Sequence, residues 1–422
     1  MSIILDFVGF IVFITTNLFC ILYSRKILGT YLNITVVLAV PYMLVCLFQV
    51  IMAISGNFVF PCLKYWLILA YFILLTLIFE IFSNYFILNA KGKKIKALAT
   101  KNLRINATNQ GLTIIVSVFL VFILKSVLTQ VLNVKMGLLF QNSFQSDFEN
   151  SLGGNFYTRV ALMFFATYFL ASPDRWYKYL LGALCFVPSI VVNTKGVILI
   201  PVLGILFANY LYGRIKNIFK IISIIIIAGI FVFFGSYFLQ YYVVKEDSIN
   251  DLSFIGYLVG KFINYALAGV QSFNYCVSNG QEYIFHDLQN CTLAPFNSIL
   301  ANLGLVNSYS PVNPIFISSG NIPNYGPLTS NVNTYFGTLY LFNGIAGGAV
   351  IHLFWVFIAS GFRINSLLTS NPFLIVLFSL FLSGFALGWF EFYFMHTFWF
   401  YMIILAIILI GVFKNNKYYV RI

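Results

Sequence analysis

The chain has 422 residues, of which 61% are hydrophobic, 19% are aromatic and only 8% are charged, and its mean hydropathy is +0.93. Soluble domains carry about 25% charged residues, so this composition excludes a soluble enzyme and a disordered protein. The net charge of +13 does not by itself indicate nucleic-acid binding, because Lys and Arg also collect in the cytoplasmic loops of membrane proteins. The composition therefore predicts an all-α polytopic membrane protein.

Apolar runs long enough for transmembrane helices recur along the chain. About eleven spans are predicted, at 3–24, 31–54, 62–86, 111–133, 156–171, 178–194, 197–212, 221–241, 336–359, 372–390 and 397–413. One connection is much longer than the others. The predicted organisation is therefore eight transmembrane helices over 1–241, a large loop over 242–335, and three more helices with a tail over 336–422.

Basic residues fall on alternate connections, and this pattern predicts the orientation. Clusters follow the first, third, fifth and seventh spans, Arg363 follows the ninth, and three more bases lie in the tail. By the positive-inside rule these segments are cytoplasmic. The N-terminus and the large loop are then outside and the C-terminus is inside. The net charge is mainly an orientation signal, and no nucleic-acid partner is expected.

The large loop changes character along its length. Residues 251–276 repeat apolar side chains at three-to-four spacing, which predicts an amphipathic helix. Residues 297–333 are rich in Asn, Ser, Thr, Gly and Pro, and no Asp, Glu, Lys or Arg occurs from Leu288 to Phe362. Such a surface suits hydrogen bonding to sugars, but it fits an irregular loop equally well. In an oxidising compartment Cys276 and Cys291 would be able to form a disulfide that pins this loop.

Soluble-enzyme motifs are missing from the sequence. There is no Gly-Lys-Ser phosphate loop, no Cys or His cluster with metal-ligand spacing and no Asp-x-Asp pair. Neither ATP hydrolysis nor a metal site is therefore indicated.

What remains for chemistry is a set of cations at membrane depth. Spans six and seven together are too short for two full crossings, which places the turn Asn193-Thr194-Lys195-Gly196 below the outer surface. A lysine there requires an anion, and Arg159, near the outer end of span five, has the same character. Each of these two residues alone is compatible with a charged side chain at a helix end that reaches the membrane surface or forms an ion pair. Together Arg159 and Lys195 favour an outward-facing positive pocket that suits a diphosphate. Deeper in the membrane, Lys125 is predicted to pair with Glu80.

The segment that leads from the loop into span nine carries a family resemblance. Residues 330–344, SNVNTYFGTLYLFNG, followed by Gly347 and Gly348, resemble the signature with which Wzy-type O-antigen and capsule repeat-unit polymerases re-enter the membrane. Residues 265–273, YALAGVQSF, are similar to the Tyr–Gly–Phe helix that these proteins carry early in their loop. The turn at 193–196 stands where many of them have Ser-Arg-Gly, so lysine replaces the usual arginine at 195. The large loop contains no arginine, although relatives usually place one there.

The resemblance implies a GT-C-like membrane glycosyltransferase that needs neither a cofactor nor a metal. Such enzymes move a glycan from one undecaprenyl diphosphate carrier onto the non-reducing end of another lipid-linked repeat unit, at the periplasmic face of the bacterial inner membrane. The implied partners are undecaprenyl-diphosphate-linked oligosaccharides, membrane lipids and a chain-length regulator protein. The reaction is a displacement at an anomeric carbon. It needs a base for the acceptor hydroxyl and positive charge for the departing diphosphate.

This reaction assigns roles to particular residues. The diphosphate is expected to bind Arg159 and Lys195, with Lys261 assisting from the loop helix. His286 is the first candidate for the catalytic base and His396 is its competitor. Each histidine has acidic residues nearby in the sequence. The alternative for His286 is a loop histidine that makes only local hydrogen bonds.

The remaining candidates belong to the re-entry segment. Asn331, Asn333 and Tyr335 are expected either to contact sugar or to anchor the turn, and the sequence does not separate these roles. His352 lies in the middle of span nine and is expected to be a packing residue.

Three other functions stay open. A lipid-linked oligosaccharide flippase would distribute short loops over two similar halves, and an O-antigen ligase would carry arginine and histidine in its loop. An ion or solute transporter would use Lys125 and Glu80 as its pathway. The single long loop favours the polymerase.

Overall fold

The computed structural model describes residues 2–56, 58–92, 109–132, 147–171, 175–191, 195–215, 251–305, 313–322 and 326–413, together with the positions 217, 223–224, 227 and 233–235. Most of the predicted eighth span at 221–241 lies outside these residues. So do the start of the large loop, the turn residues Asn193 and Thr194, the basic tail, and most of the basic connection after span three.

The described chain is built mainly from helices. Those before the large loop are α1 Ser2–Leu28, α2 Ile34–Ile54, α3 Leu63–Ala90, α4 Gln110–Leu132, α5 Phe156–Ala171, α6 Trp176–Leu184, α7 Val187–Val191 and α8 Lys195–Leu211. Those that follow are α9 Asp251–Ser278, α10 Gln289–Thr292, α11 Ala294–Asn302, α12 Tyr335–Thr369, α13 Pro372–Ala386 and α14 Phe398–Val412. Short 3-10 helices occur at Glu282–Leu288 and Tyr393–Met395.

These helices agree with the predicted spans. Within the described ranges, five helices are long and apolar enough to cross a membrane by length and composition, namely α1, α2, α3, α4 and α12. Shorter apolar helices occupy the predicted spans five, six, seven, ten and eleven. Backbone N–H and C=O groups have no water to bind inside a bilayer, so an apolar run must satisfy them internally as a helix. The chain is a helical membrane-embedded protein.

The chain forms two compact units, both discontinuous in sequence. The first comprises Met1–Thr100, Ile249–Ile364 and Gly384–Thr397, and the second comprises Lys101–Ser248, Asn365–Ser383 and Phe398–Ile422. In the first unit α1 packs on α2 and α3, and α9 packs on α2 and α3. In the second unit α5 packs on α6, α8 and α14. The large loop therefore shares a unit with the first three helices and most of α12.

Two charged residues occupy positions that differ from those predicted. Arg363, predicted as a base of a cytoplasmic connection, lies within α12 and is buried. Glu80, predicted as the partner of Lys125, is fully buried, and its carboxylate accepts hydrogen bonds from the backbone N–H groups of Ile34 and Thr35. Counting charges along a sequence does not reveal such positions, because burial depends on which helices pack together.

The first half of the large loop is the helix α9, so the amphipathic helix predicted over 251–276 is confirmed. Cys276 at its end and Cys291 in α10 are both buried, and the disulfide considered for this loop is not formed. Burial raises the pKa of Cys276 to about 12 and also raises the pKa of Cys291. Both thiols therefore stay protonated and act as small apolar side chains.

The second half of the loop contains a β-hairpin that corrects the expectation of an entirely α-helical chain. Strand β1, Ile317–Ile322, pairs antiparallel with strand β2, Gly326–Ser330. Ile322 and Leu328 pack against Phe58 and residues of α9. The Asn- and Ser-rich segment is therefore folded against the first unit, so this part of it is not an irregular loop.

Helix α12 is broken near its start. Gly344 has φ 66° and ψ −175°, which separates a short segment, Tyr335 to Asn343, from the longer segment that follows. This backbone conformation is essentially restricted to glycine. Span nine was predicted as one continuous helix, and the structure instead divides it at Gly344 into a short and a long helical segment.

We expect Gly344→Ala to destabilise the protein by about 1–3 kcal/mol, because alanine strains this backbone conformation. An added Cβ would meet nothing within 4 Å at Gly344, so the change in stability reports only the strain of the backbone. Gly361→Ala is the matched control: it lies in the same helix, its Cβ also meets nothing within 4 Å, and its φ is negative. Thermal unfolding in detergent, followed by fluorescence, measures both. Equal midpoints for the two variants would contradict the assignment.

Candidate functional site

The turn that enters α12 holds a strained residue. Thr334 has a φ of 63° and is fully buried. A β-branched residue rarely adopts this left-handed conformation, which costs about 1–3 kcal/mol and persists only where the surrounding structure enforces it. The Thr334 hydroxyl accepts a hydrogen bond from the backbone N–H of Gly337 at 3.1 Å and so caps α12. Strain of this kind is typical of functional sites.

Tyr335 anchors the turn from inside the protein. Its N–H donates to the carbonyl of Gly388 at 2.6 Å, and its hydroxyl lies 2.9 Å from Nδ1 of His352. The other ring nitrogen, Nε2, lies 2.8 Å from the hydroxyl of Thr76, which itself donates to the carbonyl of Phe72. Since the Thr76 proton is used there, His352 donates through Nε2 and accepts from Tyr335 at Nδ1. Tyr335 and His352 are fully buried and hold the turn in place.

Helix α9 approaches the turn closely from another side. A Cβ on Gly269 would lie 3.1 Å from the carbonyl oxygen of Phe390 and 3.4 Å from Cγ2 of Thr334, so only glycine fits there without displacement. One helical turn earlier, Tyr265 stacks on the ring of Phe390, with the ring centroids 6.2 Å apart. The segment YALAGVQSF therefore packs directly on the re-entry turn.

Asparagines hold together the chain that precedes the turn. The side-chain amide of Asn331 donates to the carbonyl of Asn313 at 3.0 Å, and that of Asn313 donates back to the carbonyl of Asn331 at 2.9 Å. Asn333 is 1% exposed, and its Oδ1 accepts from the hydroxyl of Ser272. Its Nδ2 has no hydrogen-bond partner within the described part of the chain. Asn333 therefore braces the turn and retains an unused buried donor.

A small pocket with a cavity volume of about 50 Å³ opens beside this turn. The polar lining combines two amides, one hydroxyl, one carboxylate and one imidazole, and the rest is apolar. The lining residues are Asn313, Asn331, Val332, Thr338, Phe342, Glu391, Met395 and His396. A few polar groups on an apolar surface are what recognition of a sugar ring requires.

His396 and Glu391 form the reactive pair of the pocket. Nε2 of His396 lies 3.1 Å from Oε1 of Glu391, and their side chains are 30% and 17% exposed. The carboxylate orients the ring and favours a proton on Nε2. A base held by a third group in a partly enclosed pocket is the arrangement used for general base catalysis.

The structure brings two of the predicted site residues into this pocket, Asn331 and His396. His286 is exposed on its 3-10 helix and does not line it, and its neighbour Glu282 is paired with Lys64. Lys261 lies on α9, one turn before Tyr265, and its ammonium group donates to the hydroxyl of Tyr257. Tyr335 and Asn333 support the turn and do not line the pocket.

The other two predicted cations belong to the second unit. Arg159 is buried in α5 and forms an ion pair with Glu149 at 3.1 Å, which matches the ion-paired alternative. Lys195 begins α8, and its side chain is outside the described residues.

Glu391, Asn313 and Thr338 were not among the residues predicted for the site. One signal for Glu391 was present in the sequence, because it is the only Asp or Glu after Asp287. No comparable signal marks Asn313 or Thr338.

The chain was compared with known proteins. The model of a family described as a family of unknown function, DUF6337, matches residues 54–419. No curated protein and no solved structure matches the chain.

Proposed function

The chain belongs to the DUF6337 family of unknown function, and we propose that it is an O-antigen polymerase similar to the Wzy type. It would transfer a growing surface polysaccharide from undecaprenyl diphosphate onto the non-reducing end of a lipid-linked repeat unit. The observation that carries the proposal is the His396–Glu391 pair in an amide-lined pocket beside the re-entry turn. This pocket supports binding and activation of a sugar hydroxyl.

The proposed reaction is a displacement at the anomeric carbon of the donor. His396 removes the proton of the acceptor hydroxyl while the acceptor oxygen forms a bond to that carbon. The bond from the anomeric carbon to the diphosphate oxygen breaks, and the diphosphate departs with the electron pair. Glu391 keeps the imidazole oriented and stabilises it when it becomes charged. A positioned base of this kind contributes about 10²- to 10⁴-fold to the rate.

The departing diphosphate requires positive charge. Lys261 is the proposed contact from the first unit, because it lies one helical turn from Tyr265, which stacks on Phe390 beside Glu391. The roles predicted for Arg159 and Lys195 of the second unit in binding the diphosphate stay predictions. The two lysines would act as point charges, without the two-pronged contact of a guanidinium.

The proposal includes a membrane arrangement. We place about eleven spans in the bacterial inner membrane with a GT-C-like fold, the N-terminus and the pocket on the periplasmic side and the C-terminus in the cytoplasm. The alternation of basic connections supports this orientation. The proposed partners are two undecaprenyl-diphosphate-linked oligosaccharides, membrane lipids and a chain-length regulator.

Deletion of the gene for this chain in its bacterium is expected to leave a surface lipid that carries a single repeat unit. The ladder of longer glycans should be lost. Gel electrophoresis of the surface glycan measures this result, and complementation with the full chain should restore the ladder. A total loss of surface glycan would indicate a flippase. Free carrier-linked polymer would indicate a ligase. Either result would contradict the polymerase.

A further inference from the structure

We infer that the pocket binds an uncharged sugar and discriminates against sugars that carry a carboxylate. The inference rests on the proposed function, since it names the class of terminal sugar that the polymerase would extend. It is carried by the charges around the pocket. Glu391 contributes a negative charge to the lining, and no Lys or Arg is among the lining residues that the structure describes.

The segment of the chain that carries the lining residues supplies no lysine or arginine near the pocket. From Leu288 to Phe413 the only Asp, Glu, Lys or Arg residues are Arg363 and Glu391. Arg363 lies far along α12, roughly 28 Å beyond the break at Gly344 at 1.5 Å per residue. Its guanidinium donates to Oδ1 of Asn84, so it is committed at the other end of the helix.

Two lysines of the first unit have other partners. Lys64 forms an ion pair with Glu282. The ammonium group of Lys261 donates to Tyr257, one turn further from the residues that contact Phe390, and its proposed contact is the diphosphate and not the acceptor sugar. Within the described lining, a carboxylate on a bound sugar would therefore meet Glu391 and the imidazole of His396, which is already paired with Glu391. Like charges a few ångströms apart in a partly buried site repel strongly, and the sugar carboxylate would also lose its hydration.

The neutral groups of the pocket favour a neutral ligand. The amides of Asn313 and Asn331 and the hydroxyl of Thr338 donate and accept hydrogen bonds without charge. Phe342 and Met395 supply apolar surface for the C–H face of a ring. Hydroxyl and acetamido substituents satisfy these groups, whereas a carboxylate has no partner of opposite charge among them.

The test compares matched methyl glycosides on the purified full-length protein in detergent. The gluco, galacto and manno forms are each used as the neutral hexoside and as the corresponding hexuronic acid, and ligand-detected NMR gives the affinities. The measurement is made at pH 8. We expect at least one neutral glycoside to bind, and its uronic acid counterpart to bind about tenfold more weakly or worse. Raising the salt from about 50 to 500 mM should shrink the difference by screening.

In Glu391→Gln, the affinities for the neutral hexoside and the uronic acid of each pair should differ by no more than about threefold, because the amide keeps the shape of the side chain and removes its charge. Glu282→Gln is the control, since Glu282 pairs with Lys64 outside the pocket lining, and it should keep the wild-type preference. The inference is overturned if a uronic acid binds as tightly as its neutral partner, if nothing binds, or if Glu391→Gln keeps the preference. The preference in the wild-type protein and its salt dependence decide the matter even if Glu391→Gln does not fold.

Failure of the inference and failure of the proposed function give different results. If neutral glycosides bind selectively but the deletion strain keeps an intact glycan ladder, the polymerase function is rejected and the inferred specificity of the pocket stands. Loss of the ladder on deletion, with unselective binding, would remove only the inference.

Discussion

Replacing His396 with alanine is expected to abolish the polysaccharide ladder while the amount of protein in the membrane stays unchanged. The side chain lines the pocket and is oriented by Glu391 at 3.1 Å. Loss of a positioned base lowers a rate by about 10²- to 10⁴-fold, which reduces the product to the single repeat unit. Gel electrophoresis of the surface glycan measures the effect, and immunoblotting of the membrane fraction measures the protein level.

His286→Ala is the matched control, because His286 is exposed and does not line the pocket. We expect this variant to make normal chains. Glu391→Gln should shorten the ladder without abolishing it, since the imidazole remains but loses the carboxylate that orients it. If His286→Ala erased the ladder and His396→Ala preserved it, the base would lie in the loop and the pocket would have another role.

The sequence predicted the positions of most helices because each is an apolar run, and an apolar run in a membrane has little choice but to form a helix. It did not predict the break in α12. Gly344 is followed by Gly347 and Gly348, and a glycine within an apolar run is compatible both with close packing and with a kink. Only the backbone dihedral angles identify Gly344 as the break.

The hairpin was missed for a different reason. The strands read ISSGNI and GPLTS, and Ser, Gly, Asn and Pro are poor formers of β-strands. Their pairing is stabilised by Ile322 and Leu328 packing on Phe58, which lies more than 250 residues earlier in the chain. Long-range packing of this kind is invisible in a local window of sequence.

The site was predicted in part. Asn331 and the re-entry turn followed from the family resemblance, and His396 was one of two candidates for the base. The sequence ranked His286 before His396 as the base, and this ranking stays a prediction, although only His396 of the two lines the pocket. Asn331 and His396 are 65 positions apart and meet only when the segment after α13 packs beside the turn.

The buried charges form a cluster that closes the connection between α1 and α2. Glu80 accepts the backbone N–H groups of Ile34 and Thr35 at 3.0 and 2.9 Å, and Asn33 accepts that of Val36 through its side chain. The first N–H groups of α2, which have no partner within the helix, are therefore satisfied. The carboxylate also lies at the positive end of the helix dipole.

Arg363 completes this cluster with the opposite charge. Its guanidinium donates to Oδ1 of Asn84 at 3.0 Å and to the carbonyl of Leu28, the last residue of α1, at 3.4 Å. It also lies close enough to Glu80 for their charges to attract. An anion at the start of α2 and a cation at the end of α1 both complement the helix dipoles.

Glu80→Gln is therefore expected to destabilise the protein by about 3–5 kcal/mol, because removing one of two buried opposite charges leaves the other uncompensated. The amide also offers only one accepting oxygen to the N–H groups that the carboxylate satisfies. Thermal unfolding in detergent, followed by tryptophan fluorescence, measures the loss as a lower midpoint. Glycan length in cells is read separately, since this cluster is distant in sequence from the pocket residues.

Glu282→Gln is the control, because its ion pair with Lys64 is partly exposed and should contribute less than about 1 kcal/mol. The double variant Glu80→Gln/Arg363→Met should recover part of the loss, since it removes the uncompensated guanidinium as well. A midpoint for Glu80→Gln equal to that of the control would contradict the capping role of Glu80. Effects in the double variant that simply add would contradict its coupling to Arg363. Recovery in the double variant would instead show that the buried charges are coupled, and that Glu80 and Arg363 stabilise the connection between α1 and α2 as a pair.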